Sequence, residues 1–453
     1  MPDTRNLFHP ESLKIDRQLQ KKANPVSSTA ETTLFQLAAG GNRDAAAIAE
    51  KLGLTFEGTQ TFGSDRMIPE DSAAFRIVLE VRYRTMERLA VESGCGTAAD
   101  LPCGYTPLAV ELTRQGMKYL GMDLPAVISE AEGIILPMIR ENRRNSACFA
   151  AVDATNDESM KKVFAEAEGS LCVLTSGLLM YFSDPELEAM ARSVKQALDI
   201  HGGCWITADP ETEVLHFSIL KAISGDRFDQ VMKERTGVIR KMSDTSLGQS
   251  ALTIHYRSAG QDTERAMAFL KSKGLRAERL SVAEHMPEGD PASFSLLDAA
   301  QAEKVRKVLR ETAYWKITSD GSAGPDIQHG TKKGGKKSAE GIPDFRIRAE
   351  RKGDLLDVKL AGRLDTLSSP ELLAFYEKET AEAEVRKAAF DCEQLDFISS
   401  AGLRVLLMIQ KGCRDGITMT GMNETVREII TKTGFTALFS ENTCSVSDPG
   451  SPG

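Results

Sequence analysis

The sequence predicts two α/β domains of unequal size, joined by a polar linker. Its 453 residues are too many for one ordinary hydrophobic core and suit two domains of roughly 100–200 residues each. Apolar segments of strand length alternate with helical patterns between residues 97 and 208, and the alternation resumes after residue 343. Residues 319–343 are rich in Gly, Ser and Lys, as is typical of flexible linkers. The predicted organisation is a loose N-terminal segment (1–30), a first domain (31–318), the linker (319–343), a second domain (344–446) and a tail (447–453).

Composition excludes several classes of function. The formal net charge of -9 argues against a general role in coating nucleic acid. The eight cysteines include no Cys-x-x-Cys pair, so we expect neither a metal site nor a disulfide framework. The N-terminus lacks the basic start and apolar core of a signal peptide. The longest mostly apolar run, residues 171–182, is far shorter than the ~20 residues that cross a bilayer. We therefore expect a cytoplasmic protein with no membrane partner.

The first domain should contain a parallel sheet with helices on both faces. A helical pattern over Ser72–Val91 precedes the first strand. Five buried strands are predicted, namely Thr97–Leu101, Lys118–Met122, Ala147–Val152, Leu171–Thr175 and Cys204–Ala208. Further on, Arg276–Ser281 and Ser293–Leu297 fit late strands, and Glu303–Trp315 has apolar residues at helical spacing.

A ligand site is predicted at the carboxyl ends of these strands, where open parallel sheets bind ligands. Gly104 lies in the turn after the first strand and allows a ligand to approach the backbone. Asp123 ends the second strand 19 residues later and could accept the hydroxyl hydrogens of a ribose. Asp153 follows the third strand and could accept from an adenine amino group. The alternative is structural: Gly104 serves a turn and Asp123 caps a helix. Neither Gly-x-Gly-x-x-Gly nor a Lys-Ser/Thr loop is present, which favours a nucleoside without phosphates.

Three segments resemble the ordered motifs of the leucine carboxyl methyltransferase family, which includes polyketide O-methyltransferases. They are DLPCGYT (100–106), MDLP (122–125) and LTSGLLMYF (174–182), and the resemblance covers roughly residues 30–315. It implies a class I methyltransferase fold, a Rossmann-like sheet, and S-adenosyl-L-methionine (SAM) as cofactor. The family's arginine for the methionine carboxylate corresponds best to Arg84, with Arg82 as the alternative. The implied cofactor contacts in the motifs are Asp100, Gly104, Asp123, Leu124, Asp153, Ala154 and Ser176.

The resemblance implies direct methyl transfer to an oxygen of a carboxylate or of a small-molecule hydroxyl group. The protein then mainly positions the reactants. A carboxylate acceptor needs no base, whereas a phenol or alcohol benefits from one. Tyr181, His216 and His255 are the candidates for that base.

The second domain is predicted from shorter elements. The predicted strands are Phe345–Glu350, Leu355–Leu360, Lys387–Cys392 and Ile417–Thr420, and the predicted helices are Ser369–Ala383, Leu403–Lys411 and Asn423–Thr433. Ser399 and Ser400 stand directly before the middle helix, where serine ordinarily serves as a helix cap.

The motifs LDT (364–366), LDFISSAGLR (395–404) and GMN (421–423) resemble a STAS domain, the anti-sigma-factor-antagonist domain of bacterial partner-switching pathways. The resemblance covers about residues 343–441 and implies that Ser400 is phosphorylated, with Ser399 as second choice. The implied partners are an anti-sigma factor or serine kinase-like protein and a phosphatase. A phosphate adds about -1.5 to -2 charge at a helix N-terminus, which tolerates anions, and a partner packed on that surface would be released.

Two functions therefore remain open. The first is an O-methyltransferase coupled to a phosphorylation-dependent binding module. The second is a non-catalytic regulator, in which a degenerate methyltransferase domain serves as sensor or scaffold. Departures from the family pattern at Pro102, Thr106 and Ser176 favour the second function. The presence of Gly104, Asp123 and Asp153 favours the first.

Overall fold

The computed structural model describes residues 29–54, 68–242, 250–321, 345–432 and 440–441. The chain divides into two compact units, one containing the described residues up to 321 and the other those from 345. Of the predicted linker only residues 319–321 are described, and most of the predicted N-terminal segment and the whole tail lie outside the described residues. No described helix is long and apolar enough to span a membrane.

Three helices precede the first strand: α1 (Thr29–Ala39), α2 (Arg43–Lys51) and α3 (Pro69–Glu92). Proline at the first position of α3 starts the helix without the loss of a hydrogen bond. The helix then continues for 24 residues, and its buried residues, including Ile77 and Val81, pack into the core beside the sheet. The helix predicted over Ser72–Val91 is therefore present.

The first unit is built on a seven-stranded sheet. The strands are β1 (Thr97–Asp100), β2 (Lys118–Asp123), β3 (Ala147–Ala151), β4 (Leu171–Thr175), β5 (Gly203–Thr207), β6 (Leu275–Ser281) and β7 (Ala313–Ser319). Their order is β3-β2-β1-β4-β5-β7-β6, and β7 runs antiparallel to both of its neighbours. The first five strands are parallel and follow the Rossmann order, so the order reverses between β1 and β4. This reversal is where a doubly wound sheet binds its ligand.

Helices cover both faces of this sheet. They are α4 (Leu108–Arg114), α5 (Pro125–Ile135), α6 (Asp157–Ala165), α7 (Asp184–His201), α8 (Thr212–Ser224), α9 (Phe228–Met242), α10 (Ala259–Ser272), α11 (Val282–His285) and α12 (Ala299–Glu311). One apolar core lies between the sheet and helices that include α3, α8 and α12, and it contains Tyr314. A second core lies on the other face, under α6, α7 and α10, and contains Trp205 and Trp315. The inner strands β1, β4 and β5 are buried on both faces, which explains their mostly apolar sequences.

Two predicted elements of the first unit are wrong. The strand predicted at Ser293–Leu297 is a 3-10 helix, Ala292–Leu296, because the N–H groups of Ala292 and Ser293 donate to Glu80 and not to another strand. The helix predicted over Glu303–Trp315 ends at Glu311, and the residues after Thr312 form β7. A short apolar run that is buried on both sides fits a strand and a helix equally well by periodicity alone.

The second unit is a smaller sheet with helices. Its elements are β8 (Arg346–Lys352), β9 (Leu355–Leu364), α13 (Ser369–Glu382), β10 (Lys387–Ile398), α14 (Ser400–Gly412), β11 (Ile417–Thr420), α15 (Glu424–Lys432) and β12 (Ser440–Glu441). The order is β12-β11-β10-β9-β8, with β8 antiparallel and the others parallel. Apolar residues of the strands and helices share one core. The predicted fold, a Rossmann-like sheet followed by a smaller α/β unit, is confirmed.

Candidate functional site

The loop after β1 and the end of β2 meet beside the point where the strand order reverses. The Gly104 N–H donates to Oδ2 of Asp123 at 2.8 Å, and the Leu124 N–H donates to Oδ1 at 2.7 Å. Burial raises the pKa of Asp123 to about 6, although these two N–H groups lower it. Each carboxylate oxygen has a second lone-pair direction, so the group can still accept from a ligand hydroxyl. The structure thus brings together the predicted residues Gly104, Asp123 and Leu124.

Asp100 is a second buried carboxylate at this edge. The Tyr119 hydroxyl donates to its Oδ2 at 2.7 Å. Burial raises the pKa of Asp100 to about 7, the Tyr119 hydrogen bond lowers it, and the charge of Asp123 raises it further. Two carboxylates that are hard to ionise together would be stabilised by a cationic ligand.

Asp153 and Ala154 follow β3, the strand paired with β2, and both are buried. The N–H and the hydroxyl of Thr155 donate to Oδ1 of Asp153, at 2.8 and 2.7 Å. Asp153 therefore orders the loop at the same edge of the sheet as Asp123.

Asp209, which sequence reasoning missed, orders the turn after β4. The backbone N–H groups of Gly177, Leu178 and Leu179 all donate to its carboxylate. Gly177 has φ +79°, a conformation that favours glycine, and the half-buried Ser176 precedes it. The sequence did contain a signal for Asp209. It lies two residues after the end of β5, just as Asp153 lies two residues after the end of β3.

Arg82 and Arg84 occupy different environments on α3. Arg84 donates to the carbonyl groups of Glu288 and Gly289, both at 3.4 Å, at the surface. Arg82 is only 9% exposed, and a Cβ atom built on Gly177 would lie 3.4 Å from its Nη1. Its side chain makes no hydrogen bond or ion pair with any residue that the structure describes. The structure therefore favours Arg82, the alternative assignment, over Arg84 as the arginine beside the turn after β4.

Each candidate base has its own surroundings. Nε2 of His216 lies 2.8 Å from Oδ1 of Asp71, and Nε of Arg235 donates to both Asp71 oxygens at 3.2 Å. Burial raises the pKa of Asp71, but the hydrogen bond and charge of His216 and the charge of Arg235 outweigh it and lower the pKa below its usual value.

The other two candidates lie elsewhere. His255 pairs through Nδ1 with Glu213 at 3.0 Å, so the two histidines belong to separate clusters. Tyr181 lies in a single 3-10 turn, Leu179–Tyr181, whose first N–H is held by Asp209.

In the second unit, Ser399 and Ser400 occupy the start of α14 and differ in exposure. Ser399 is 1% exposed, and its hydroxyl accepts from the Gly402 N–H as the helix cap. Its own N–H donates to the Leu364 carbonyl at 2.9 Å. Ser400 is the first residue of the helix and is half-buried. Ser399 therefore serves the fold as a helix cap, and Ser400 is the more exposed of the two residues.

The remaining motif residues explain the local packing. A Cβ atom on Gly402 would lie 2.6 Å from the Leu364 carbonyl oxygen, so only glycine lets α14 approach β9 this closely. The Asn423 side chain accepts from the Val426 N–H and donates to the Leu395 carbonyl, both at 2.8 Å. It caps α15, as predicted, and ties that helix to β10.

Comparison with known proteins distinguishes the two units. Residues 346–448 match the family model described as STAS domain. No curated protein sequence matches the chain.

Three solved structures illustrate the likeness. An anti-sigma factor antagonist from Mycobacterium paratuberculosis is 19% identical, over 22% of this chain and 88% of that chain, with a TM-score of 0.21. An O-methyltransferase family protein from Burkholderia thailandensis is 12% identical, over 58% and 63%, with a TM-score of 0.32. The plantazolicin methyltransferase BamL, in complex with a triazolic desmethylPZN analog and SAH, is 12% identical, over 67% and 98%, with a TM-score of 0.27. The C-terminal unit is thus a STAS domain, and the first unit resembles O-methyltransferases.

Proposed function

We propose that the first unit transfers a methyl group from SAM to an oxygen acceptor, and that the STAS domain binds a protein partner until Ser400 is phosphorylated. One observation carries the first half of this proposal. Arg82, a residue only 9% exposed, has a guanidinium without a partner among the described residues, and it lies beside the turn after β4, at the same sheet edge as the Asp123 carboxylate and the Gly104 loop. A nucleoside with an amino-acid carboxylate and no phosphates matches this arrangement of groups.

The described residues fit the parts of SAM in order along the sheet edge. Asp123 accepts from the ribose hydroxyl groups, and Asp153 with Ala154 forms the adenine end. Arg82 pairs with the methionine carboxylate, and Ser176 belongs to the turn beside it. The buried carboxylates of Asp100 and Asp123 favour a cationic ligand over a neutral one. Arg82 thus takes the role that the sequence first gave to Arg84.

When bound, SAM would supply an electrophilic methyl group, to which an acceptor oxygen would bond in line as the methyl–sulfur bond breaks and S-adenosylhomocysteine leaves. The protein holds the two reactants and excludes water. For a carboxylate acceptor no base is needed. For a hydroxyl acceptor, His216 takes the proton, since Asp71 holds one ring nitrogen at 2.8 Å and stabilises the imidazolium that forms.

Calorimetry tests the cofactor proposal. We expect the wild type to bind SAM and S-adenosylhomocysteine with micromolar affinity and Asp123→Ala to bind neither. Asp199→Ala, which removes an acid that is 41% exposed and far along α7, is the matched control and should bind as the wild type does. Failure of the wild type to bind SAM would refute the proposal.

A second candidate is supported by the glycine loop itself. The Cys103 N–H, which could otherwise face a ligand, donates to the Met122 carbonyl at 2.9 Å. This loop would suit a non-catalytic regulator, in which the first unit binds SAM as a sensor and transfers no methyl group. Binding that persists with no methyl transfer to any offered carboxylate or hydroxyl compound would favour this regulatory function.

The switch proposal rests on the contrast between the two serines. A phosphate on Ser400 would add charge and acceptor groups at the surface of α14, where a helix N-terminus tolerates them, so the domain stays folded. An exposed apolar residue follows the segment that contacts this helix start. Leu367, which is 36% exposed, follows Leu364 by three residues, and the Leu364 carbonyl accepts from the Ser399 N–H. An apolar side chain there suits contact with a partner, which the new charge would oppose.

Mass spectrometry after incubation with a cognate serine kinase tests this assignment. We expect one phosphate on the wild type and on Ser399→Ala, and none on Ser400→Ala. Loss of modification in Ser399→Ala alone would move the site by one residue.

A further inference from the structure

Tyr314 is one of six described residues of the first unit whose buried side-chain hydroxyl has no hydrogen-bond partner. It is the second residue of β7 and is 1% exposed. Its hydroxyl has no hydrogen-bond partner among the described residues. A buried hydroxyl that donates to nothing is unfavourable for folding, and such groups in native proteins usually have a use.

Tyr314 lies on the same face of the sheet as α3, the helix that carries Arg82. Both belong to the layer between the sheet and α3, α8 and α12, whereas the neighbouring Trp315 faces the opposite core. The strand register also places Tyr314 near the carboxyl end of β5. Its neighbour Trp315 pairs with Thr207, which lies two residues before Asp209. Burial raises the pKa of Tyr314 above its ordinary value, the Arg82 charge lowers it and the Asp209 charge raises it, so the hydroxyl senses both groups and stays a proton donor.

Arg82 and Tyr314 together provide the hydrogen-bond donors that would bind a ligand carboxylate. Arg82 offers planar N–H donors and Tyr314 offers one O–H donor, and neither has an acceptor among the described residues. The carboxylate of Asp209, whose charge acts on Tyr314, is already engaged by three backbone N–H groups. A ligand carboxylate would satisfy both donors at once, since its two oxygens can accept from different groups.

We infer that Tyr314 is a second ligand of the cofactor's methionine carboxylate, beside Arg82. This inference rests on the proposed function and extends it, because it names a positioning residue on β7 far along the chain from the motifs. It predicts that the apoprotein retains a polar group whose stabilising contact forms only when SAM is bound.

The substitution Tyr314→Phe tests the inference, with calorimetry on the full chain. We expect the affinity for SAM to fall about tenfold, as for the loss of one hydrogen bond to a charged group. The affinity for 5′-methylthioadenosine, which has the nucleoside and the sulfur but no carboxylate, should stay within about twofold of the wild type. The melting temperature of the apoprotein should be unchanged or higher, because the variant no longer buries an unpaired hydroxyl.

Tyr376→Phe is the matched control, since Tyr376 lies in the STAS domain with its hydroxyl 3.5 Å from the Cys413 sulfur. It should leave both affinities unchanged. Unchanged SAM affinity in Tyr314→Phe, or equal losses for SAM and 5′-methylthioadenosine, would overturn the inference while leaving the proposed function standing. Absence of SAM binding by the wild type would refute the proposed function and this inference together.

Discussion

The two candidate sites both form where a strand leads through a turn towards a helix, but their polar groups differ in what they contact. In the first unit, Arg82 is 9% exposed and Tyr314 is 1% exposed, and neither side chain has a hydrogen-bond partner among the described residues. In the STAS domain, the hydroxyl and the N–H of Ser399 are both engaged, and Asn423 uses both ends of its amide.

This difference separates two ways of building a functional site. Buried donors without acceptors are prepared for a ligand that supplies the acceptors. A turn whose own groups satisfy one another is complete without a ligand and changes only when a group is added to it. The comparison therefore predicts that ligands govern the first site and covalent modification governs the second.

The largest effect should come from Gly402→Ala. The new Cβ would lie 2.6 Å from the Leu364 carbonyl, so α14 must move from β9, at a cost of about 2–3 kcal/mol in the free energy of unfolding of the STAS domain. Calorimetric melting of the full chain should show this loss in the transition that SAM does not shift.

Gly133→Ala is the matched control in the first unit. Gly133 also lies within a helix, and a Cβ there meets nothing within 4 Å. The substitution should stabilise the first unit by about 0.5–1 kcal/mol, since alanine is the better helix former. Equal effects of the two substitutions would show that close packing is not what requires glycine at position 402.

Asp209→Asn should have the next largest effect, in the first unit. An amide cannot accept from all three N–H groups of Gly177–Leu179, and its own N–H₂ would face a donor. We expect a loss of about 2 kcal/mol in the free energy of unfolding and weaker SAM binding, because the turn beside Arg82 loosens. Urea unfolding measures the first effect and calorimetry the second.

Asp226→Asn changes an exposed acid at the surface of the first unit and should shift stability by less than about 0.5 kcal/mol. A comparably small loss in Asp209→Asn would mean that the turn after β4 does not depend on this carboxylate.

Sequence reasoning could predict the positions of the candidate residues that depend on local pattern. Gly104, Asp123 and Ser400 stand at strand ends or helix starts, where spacing alone gives their position. It missed Asp209 and Tyr314, because their roles depend on contacts between segments far apart in the chain. The choice between Arg82 and Arg84 could not be made from the sequence for a related reason: side chains two residues apart on a helix point in different directions, and only packing shows which one lies beside the turn after β4.

Lowering the pH should weaken the binding of SAM to the first unit. The pKa of Asp123 is raised by burial to about 6, so the carboxylate is ionised above that pH and protonated below it. Protonation removes an acceptor for the ribose, and SAM affinity should fall by up to about tenfold per pH unit below pH 6. Asp123→Asn should bind SAM more weakly and show a flatter pH profile. Constant wild-type affinity from pH 8 to pH 5 would contradict a contact between Asp123 and the ribose.

The smallest effect should separate the two serines. Ser399→Ala removes the hydroxyl that caps α14 and should lower the free energy of unfolding of the STAS domain by about 1 kcal/mol. Ser400→Ala leaves the cap intact and should change stability by less than about 0.5 kcal/mol, while abolishing phosphorylation. Calorimetric melting of both variants measures the difference. If Ser400→Ala were the more destabilising change, Ser400 and not Ser399 would be the structural residue, and the contrast between the buried Ser399 and the more exposed Ser400 would reverse.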